Sequence, residues 1–241
     1  MPEVYLGKIS MTTFVLVPGA WLGGWAWKKV LPLLNERGHE AHAVTLTGMG
    51  ERVHLPSKDV GIETAIQDVL NVIKYNDLSD IVLVGHSFAG KVVAAVADRA
   101  PERVSTLLYL DAFRPEKVRT PQGSFPDEFP AEGGAFPFTE KILDSIGKDV
   151  QGADRKWMLS KATPWPKRYS SDAVTLSERF DTVKSAYTFC SRGSDAEYLD
   201  DILKGKWGKL DGPHKVIESG HWPMITKPDE LVKDMLALAG K

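Results

Sequence analysis

Cysteine is nearly absent from this chain: its 241 residues hold one, Cys190. A lone cysteine forms no intramolecular disulfide, so the expectation is a reducing compartment and a cytoplasmic location. No apolar run is long enough to span a bilayer, and no membrane partner is expected. An excess of one charge is missing too. Thirty Lys and Arg face 32 Asp and Glu, the formal net charge is −2, and no basic run stands out, so no nucleic-acid partner is expected. There is no His-Glu-x-x-His pattern and no Cys/His cluster, so neither a metal nor another cofactor is expected. The first ten residues, MPEVYLGKIS, lack the apolar centre of a signal peptide. Met11 opens MTTFVLV just ahead of the first strong strand, and residues 1–10 are read as a possible extension outside the fold. Internal repeats and low-complexity segments are also lacking.

What is present is an alternation. Residues 12–17 are β-branched and apolar and stop at Pro18-Gly19, which predicts a buried strand. Residues 25–37 carry Trp27, Val30, Leu31 and Leu34 at helical spacing, with Gly38 as a stop. Further strands are predicted over 41–46, 80–84, 104–110, 185–190 and 214–217, and helices over 62–75, 88–99 and 228–238. Strands that read as continuous apolar runs, each followed by a helix, imply a mostly parallel sheet covered on both faces. The length suits one domain. The rhythm breaks over 112–183, where seven of the fifteen prolines fall together with Trp157 and Trp165. That stretch is read as an inserted, mostly helical cap on a core formed by 1–111 and 184–241.

The chemistry concentrates in DIVLVGHSFAGKVVAAVA. An apolar strand runs into Gly85-His86-Ser87-Phe88-Ala89-Gly90 and a helix starts at once. A serine on such a sharp turn stands proud of the sheet edge, and the turn requires small neighbours. Ala89 takes the second small position, where glycine is usual. A five-residue motif alone fits an ordinary buried serine; the flanking strand and helix favour a nucleophile. A serine hydroxyl needs a base at neutral pH. Of six histidines, His221 follows the last strand and precedes the last helix, after the nucleophile in chain order. His39, His42, His54 and His214 read as structural or solvated, and His86 as packed beneath the turn. After the first strand, Gly19-Ala20 offers the Ala20 N–H as an oxyanion donor beside that of Phe88 at the helix start.

FVLVPGAWLGGWAWKKVLPLL, TLTGMGERVHL, VLVGHSFAGKVV, LLYLDAF and GHWPMITKPDEL resemble the bacterial relatives of plant methylesterases and hydroxynitrile lyases, within the α/β-hydrolase fold superfamily. The resemblance covers both ends of the chain and is loose over 115–183. Pro18 stands where the family usually has histidine. It implies a serine esterase acting on carboxylic or carbamate esters. Plant methylesterases carry their acid three residues past a cysteine like Cys190; that position is Gly193 here, and the nearest acid is Asp195. Other α/β-hydrolases place the acid 24 residues beyond the nucleophile, which is Asp111 at the end of LLYLDAF. Asp111 is the first candidate and Asp195 the alternative. Either could instead cap a helix. Trp21, Phe113, Trp157, Trp165 and Trp222 are candidates to line an apolar pocket, or equally core, and imply a bulky, aromatic or apolar small-molecule ester bound by a monomer or homodimer. A hydroxynitrile lyase of this group has lysine after the catalytic histidine, where this chain has Trp222. A low-turnover ligand receptor is the other reading on this fold.

Overall fold

The computed structural model describes residues 11–55, 59–112, 114–115, 118–119, 134–191, 200–201, 203–204 and 210–240. Its frame is a six-stranded sheet in the order β10-β9-β4-β3-β1-β2. The strands are β1 (Thr13–Val17), β2 (Glu40–Ala43), β3 (Ile81–His86), β4 (Val104–Leu110), β9 (Ser185–Cys190) and β10 (His214–Ile217). Every pair is parallel. All six residues of β3 and all six of β9 are buried. That explains their largely apolar character, interrupted only by His86, Ser185 and Thr188, because helices cover both faces of a parallel sheet. Each fully buried Val, Leu or Ile contributes roughly 1.5–3 kcal/mol. The outer strands, β2 and β10, are the shortest and most exposed.

The chain starts at β1, steps outward to β2, then returns to β3 on the other side of β1. The crevice at the carboxyl ends of β1 and β3 is therefore a switch point, the place where open α/β sheets take ligands.

Two predicted elements differ by more than a residue or two at their ends, while β3, expected over 80–84, runs on to His86. The helix expected over 25–37 is split into a 3-10 turn, Gly24–Trp27, and α1 (Val30–Glu36). Pro32 accounts for the break: it has no N–H for the Lys28 carbonyl, so it is tolerated in the first turn of a helix and not in the interior. The strand expected over 41–46 is Glu40–Ala43, after which Val44 N–H makes one more bond to the Leu16 carbonyl at 2.9 Å and the chain turns away. The helices α2 (Ile62–Tyr75) and α3 (Ala89–Arg99) follow the predicted spans closely.

Between the neighbouring strands β4 and β9 the chain leaves the sheet. It forms β5 (Val118–Arg119), β6 (Ala135–Phe136), α4 (Glu140–Ile146), α5 (Gly152–Lys161), β7 (Trp165–Pro166), α6 (Lys167–Ser171) and β8 (Val174–Thr175). β5 pairs with β8 and β6 with β7, both antiparallel. After β10 come α7 (Pro223–Thr226) and α8 (Pro228–Leu238). No helix among the described residues is long and apolar enough to cross a membrane.

Candidate active site

Gly85, His86 and Ser87 form the hinge between β3 and α3. A Cβ on Gly85 would lie 2.4 Å from Val93 Cγ2, so only glycine lets α3 pack this closely on β3. Ser87 itself has φ +55°, a left-handed conformation that a non-glycine residue adopts at a cost of about 1–3 kcal/mol. The turn is fixed by Ser87 N–H donating to the Leu110 carbonyl at 3.0 Å and Gly90 N–H to the Ser87 carbonyl at 3.0 Å. Trp21 (φ +66°) and Asp111 (φ +42°) share the left-handed region. Among the described residues, three of the five non-glycine residues with left-handed backbone thus lie just past β1, β3 and β4; the other two, Asp77 and Asp80, precede β3.

Asp111 follows β4, and its carboxylate is buried. One oxygen makes a short hydrogen bond with His221 Nδ1, and the other accepts from Cys190 N–H at 3.2 Å. The Asp111 N–H donates to the Thr188 carbonyl at 2.7 Å. The aspartate is therefore held by β9 from two sides. Because a carboxylate accepts, Nδ1 is the protonated nitrogen of the neutral His221 ring, and in that form Nε2 presents its lone pair. His221 is 6% exposed. Its backbone is gripped at both ends: N–H donates to the Ile146 carbonyl at 2.8 Å, and its carbonyl faces His86 Nε2 at 2.8 Å.

The loop after β1 closes the other side. A Cβ on Gly19 would meet His86 Nδ1 at 2.5 Å and Ser87 Cβ at 3.1 Å, so Gly19-Ala20 lies directly against the serine. Among the described residues, the N–H groups of Ala20 and Phe88 meet no protein acceptor. Phe88 caps α3, whose N-terminal end favours negative charge.

An aromatic wall surrounds this centre. Phe88 packs on Trp165 at 5.1 Å and stacks on Tyr169 at 5.8 Å. Trp21 meets Phe138 and Trp165 at 5.6 and 5.7 Å, and Trp222 meets His221 at 5.5 Å. Trp21, Trp165 and Trp222 are thus brought together, though each is also almost fully buried in the core. Trp157 instead packs edge-on against Trp25 of the 3-10 turn at 5.1 Å. Phe113 and Asp195 lie outside the described residues. Phe136, Phe138 and Tyr169 belong to the wall although the sequence did not single them out. Burial, and then the charge of Asp68, hold the Tyr169 phenol well above its ordinary pKa. It stays protonated and donates to the Thr47 carbonyl at 2.6 Å.

The sequence compares well with known proteins. A carbendazim hydrolyzing esterase from Nocardioides sp. (strain SG-4G) is 32% identical over 246 residues, covering 95% of this chain and all of that one. Methylesterase 3 of Arabidopsis thaliana is 27% identical, over 94% of this chain and 95% of its own. An extracellular alpha/beta-hydrolase from a Paenibacillus species superposes with a TM-score of 0.79 at 21% identity, over 94% of this chain and 98% of that one, which speaks for the fold. The family model for the alpha/beta hydrolases matches residues 14–234. With that match running from the first strand into the last helix, the chain belongs to the alpha/beta hydrolase family.

Proposed function

We propose that this protein is a serine esterase in which Ser87 is the nucleophile, His221 the general base and Asp111 the acid that orients it. The observation that carries the reading is the contact between the buried Asp111 carboxylate and His221 Nδ1, with Ser87 on a strained elbow whose N–H bonds the Leu110 carbonyl and whose neighbour His86 packs on the His221 ring. It leaves His221 Nε2 as the lone pair for the serine proton. In the first step Ser87 Oγ bonds to the substrate carbonyl carbon as its proton passes to Nε2. The negative charge on the carbonyl oxygen is met by the N–H groups of Ala20 and Phe88. The tetrahedral species then expels the alcohol, or the amine of a carbamate, which takes the proton from His221. Water, deprotonated by His221, releases the acid from the acyl-enzyme. Asp111 supports the imidazolium in both steps.

The substrate in this reading is a carboxylic or carbamate ester of a bulky aromatic or apolar small molecule. The aromatic wall supports it, as do relatives described as a carbendazim hydrolyzing esterase and as methylesterases. Residues 112–183 act as the cap that supplies much of that wall. Trp222 after His221 gives cyanide no cation to receive it, which argues against cyanohydrin cleavage.

The test is labelling by an aryl phosphonate ester, which phosphonylates activated serines, with the adduct located by mass spectrometry. The expected adduct is on Ser87, and Ser87→Ala loses both labelling and at least about 10³-fold in kcat/KM with its circular dichroism unchanged. A folded Ser87→Ala protein that still hydrolyses aryl esters at the normal rate overturns the proposal.

A further inference from the structure

His86 has no task in that mechanism, yet it is completely buried at its centre. Its two ring nitrogens have different partners. Nδ1 accepts from the Gly19 N–H at 3.2 Å, and Nε2 faces the His221 carbonyl at 2.8 Å. A backbone N–H can only donate and a carbonyl can only accept, so the ring is the neutral tautomer with its proton on Nε2. Neither nitrogen is placed to serve as a base. The ring also lies against the His221 ring, centroid to centroid 4.6 Å at a tilt of 44°. Its own backbone is the residue before Ser87.

One side chain thus touches all three segments on which the proposed chemistry depends. The loop after β1 carries Ala20, the elbow carries Ser87, and the loop after β10 carries His221. The first two leave the paired neighbours β1 and β3, but β10 lies at the far edge of the sheet and pairs with neither, so strand pairing alone does not place His221 against them. Gly19 is a further sign of a fitted contact, since any Cβ there would sit 2.5 Å from Nδ1. We propose that His86 is a positioning residue, which as an uncharged bridge between Gly19 and His221 fixes the oxyanion donor Ala20 and the base relative to Ser87. This rests on the serine-esterase reading.

Displacement of catalytic groups by a fraction of an ångström to an ångström costs up to about 10²-fold in rate. Both acylation and deacylation pass through an oxyanion and use the same base, so both should slow. His86→Asn can keep an acceptor near Gly19 while losing the reach to His221. His86→Gln can keep a donor near the His221 carbonyl while losing the tie to Gly19. Each variant is expected to lose about 10- to 100-fold in kcat on an aryl acetate, with KM within about twofold, per serine titrated by the phosphonate. A melting temperature that falls while kcat per titrated serine stays within about twofold of wild type would show a merely structural residue and overturn the inference. So would a loss confined to KM. Should neither variant fold, ¹⁵N-histidine NMR of the wild-type protein decides. His86 must show an unprotonated Nδ1 and a protonated Nε2 across the active pH range, and the opposite tautomer sinks the bridge. A wild type in which the phosphonate fails to label Ser87 defeats the esterase reading instead, independently of His86.

Discussion

The sheet and the segment between β4 and β9 solve different problems. The sheet is built around largely apolar inner strands, and at its carboxyl edge it places the polar groups Ser87, Asp111, His221 and His86. The inserted segment is built from short helices and two-residue ladders. It reaches the same centre with rings and with hydrogen bonds to loops. Trp21 Nε1–H donates to the Phe136 carbonyl at 3.0 Å, and Thr163 N–H to the Trp21 carbonyl at 3.0 Å. Ile146 accepts from His221 N–H, and Asp149 accepts from Gly220 N–H and the Thr226 hydroxyl, each at 2.8 Å. The two sides therefore grip the same two loops. The core holds Gly19 and the His221 carbonyl through His86, and the insertion holds Trp21 and the His221 N–H. In the proposed reading the segment between β4 and β9 lines the substrate site, and its hydrogen bonds also splint the two loops.

Four substitutions sharpen that division. The largest effect belongs to the core: Asp111→Asn keeps the size of the side chain but removes its charge and frees the imidazole tautomer. A loss on the order of 10²–10⁴ in kcat with little change in KM is expected. Asp195→Asn, at equal folded fraction, should stay within about twofold, and the reverse pattern would move the acid to the loop after β9. On the insertion side, Phe138 packs on Trp21 and Trp222 and is half-buried. Phe138→Ala should raise KM for aryl esters about 10-fold, with kcat nearly unchanged and small alkyl esters barely affected. Equal losses on both ester classes would mean that the ring is scaffolding. The splint is tested by Asp149→Ala, which should lower kcat about 3- to 10-fold without raising KM, since the Gly220 N–H it holds is next to His221. An unchanged kcat would confine the insertion to the pocket wall.

The smallest effect is electrostatic and lies in the core helices. Arg99 hydrogen-bonds Glu63 from α3 to α2, with one contact at 2.7 Å, and holds its carboxyl below the usual range. A carboxyl lowered by folding adds stability above its unfolded pKa and loses it as the pH falls through the folded value. The pair is exposed, so about 1 kcal/mol is its ceiling. Glu63→Gln should lower Tm by no more than about 2–4 °C at pH 7, with the difference shrinking as the pH falls below the ordinary Glu range and vanishing once the carboxyl is protonated in the folded protein, and kcat untouched. A difference that does not shrink with falling pH would show that packing, and not charge, is lost.

Much of the core was legible because burial on both faces leaves a plain trace. The spans of β4 and α2 could be read from an apolar run and helical spacing, and those of β9 and the exposed β10 also match the sequence reading. The elbow was legible from its small residues, which Gly85 and its approach to Val93 explain. Asp111 stood out as a charge closing an apolar strand. Left-handed backbone at Trp21 and Asp111 left no trace, because neither residue is a glycine. Phe136, Phe138 and Tyr169 were hidden for another reason: the insertion has no repeating period, so nothing in its sequence tells a ring that meets Phe88 from one, such as Trp157, that meets Trp25. The bridge made by His86 joins positions 67 and 135 residues apart, and no local pattern reports such contacts.

The two outer strands of the sheet carry a consequence for how copies of this chain meet. An uncovered strand edge is a template for another strand, and proteins blunt it with short, charged edges. Here β2 is Glu-Ala-His-Ala, with His42 paired to Glu40, and β10 opens with the exposed His214 and Lys215. Extending the sheet across either border would bring charged side chains of two molecules side by side and strip them of water. Growth into ribbons is thereby discouraged at both ends.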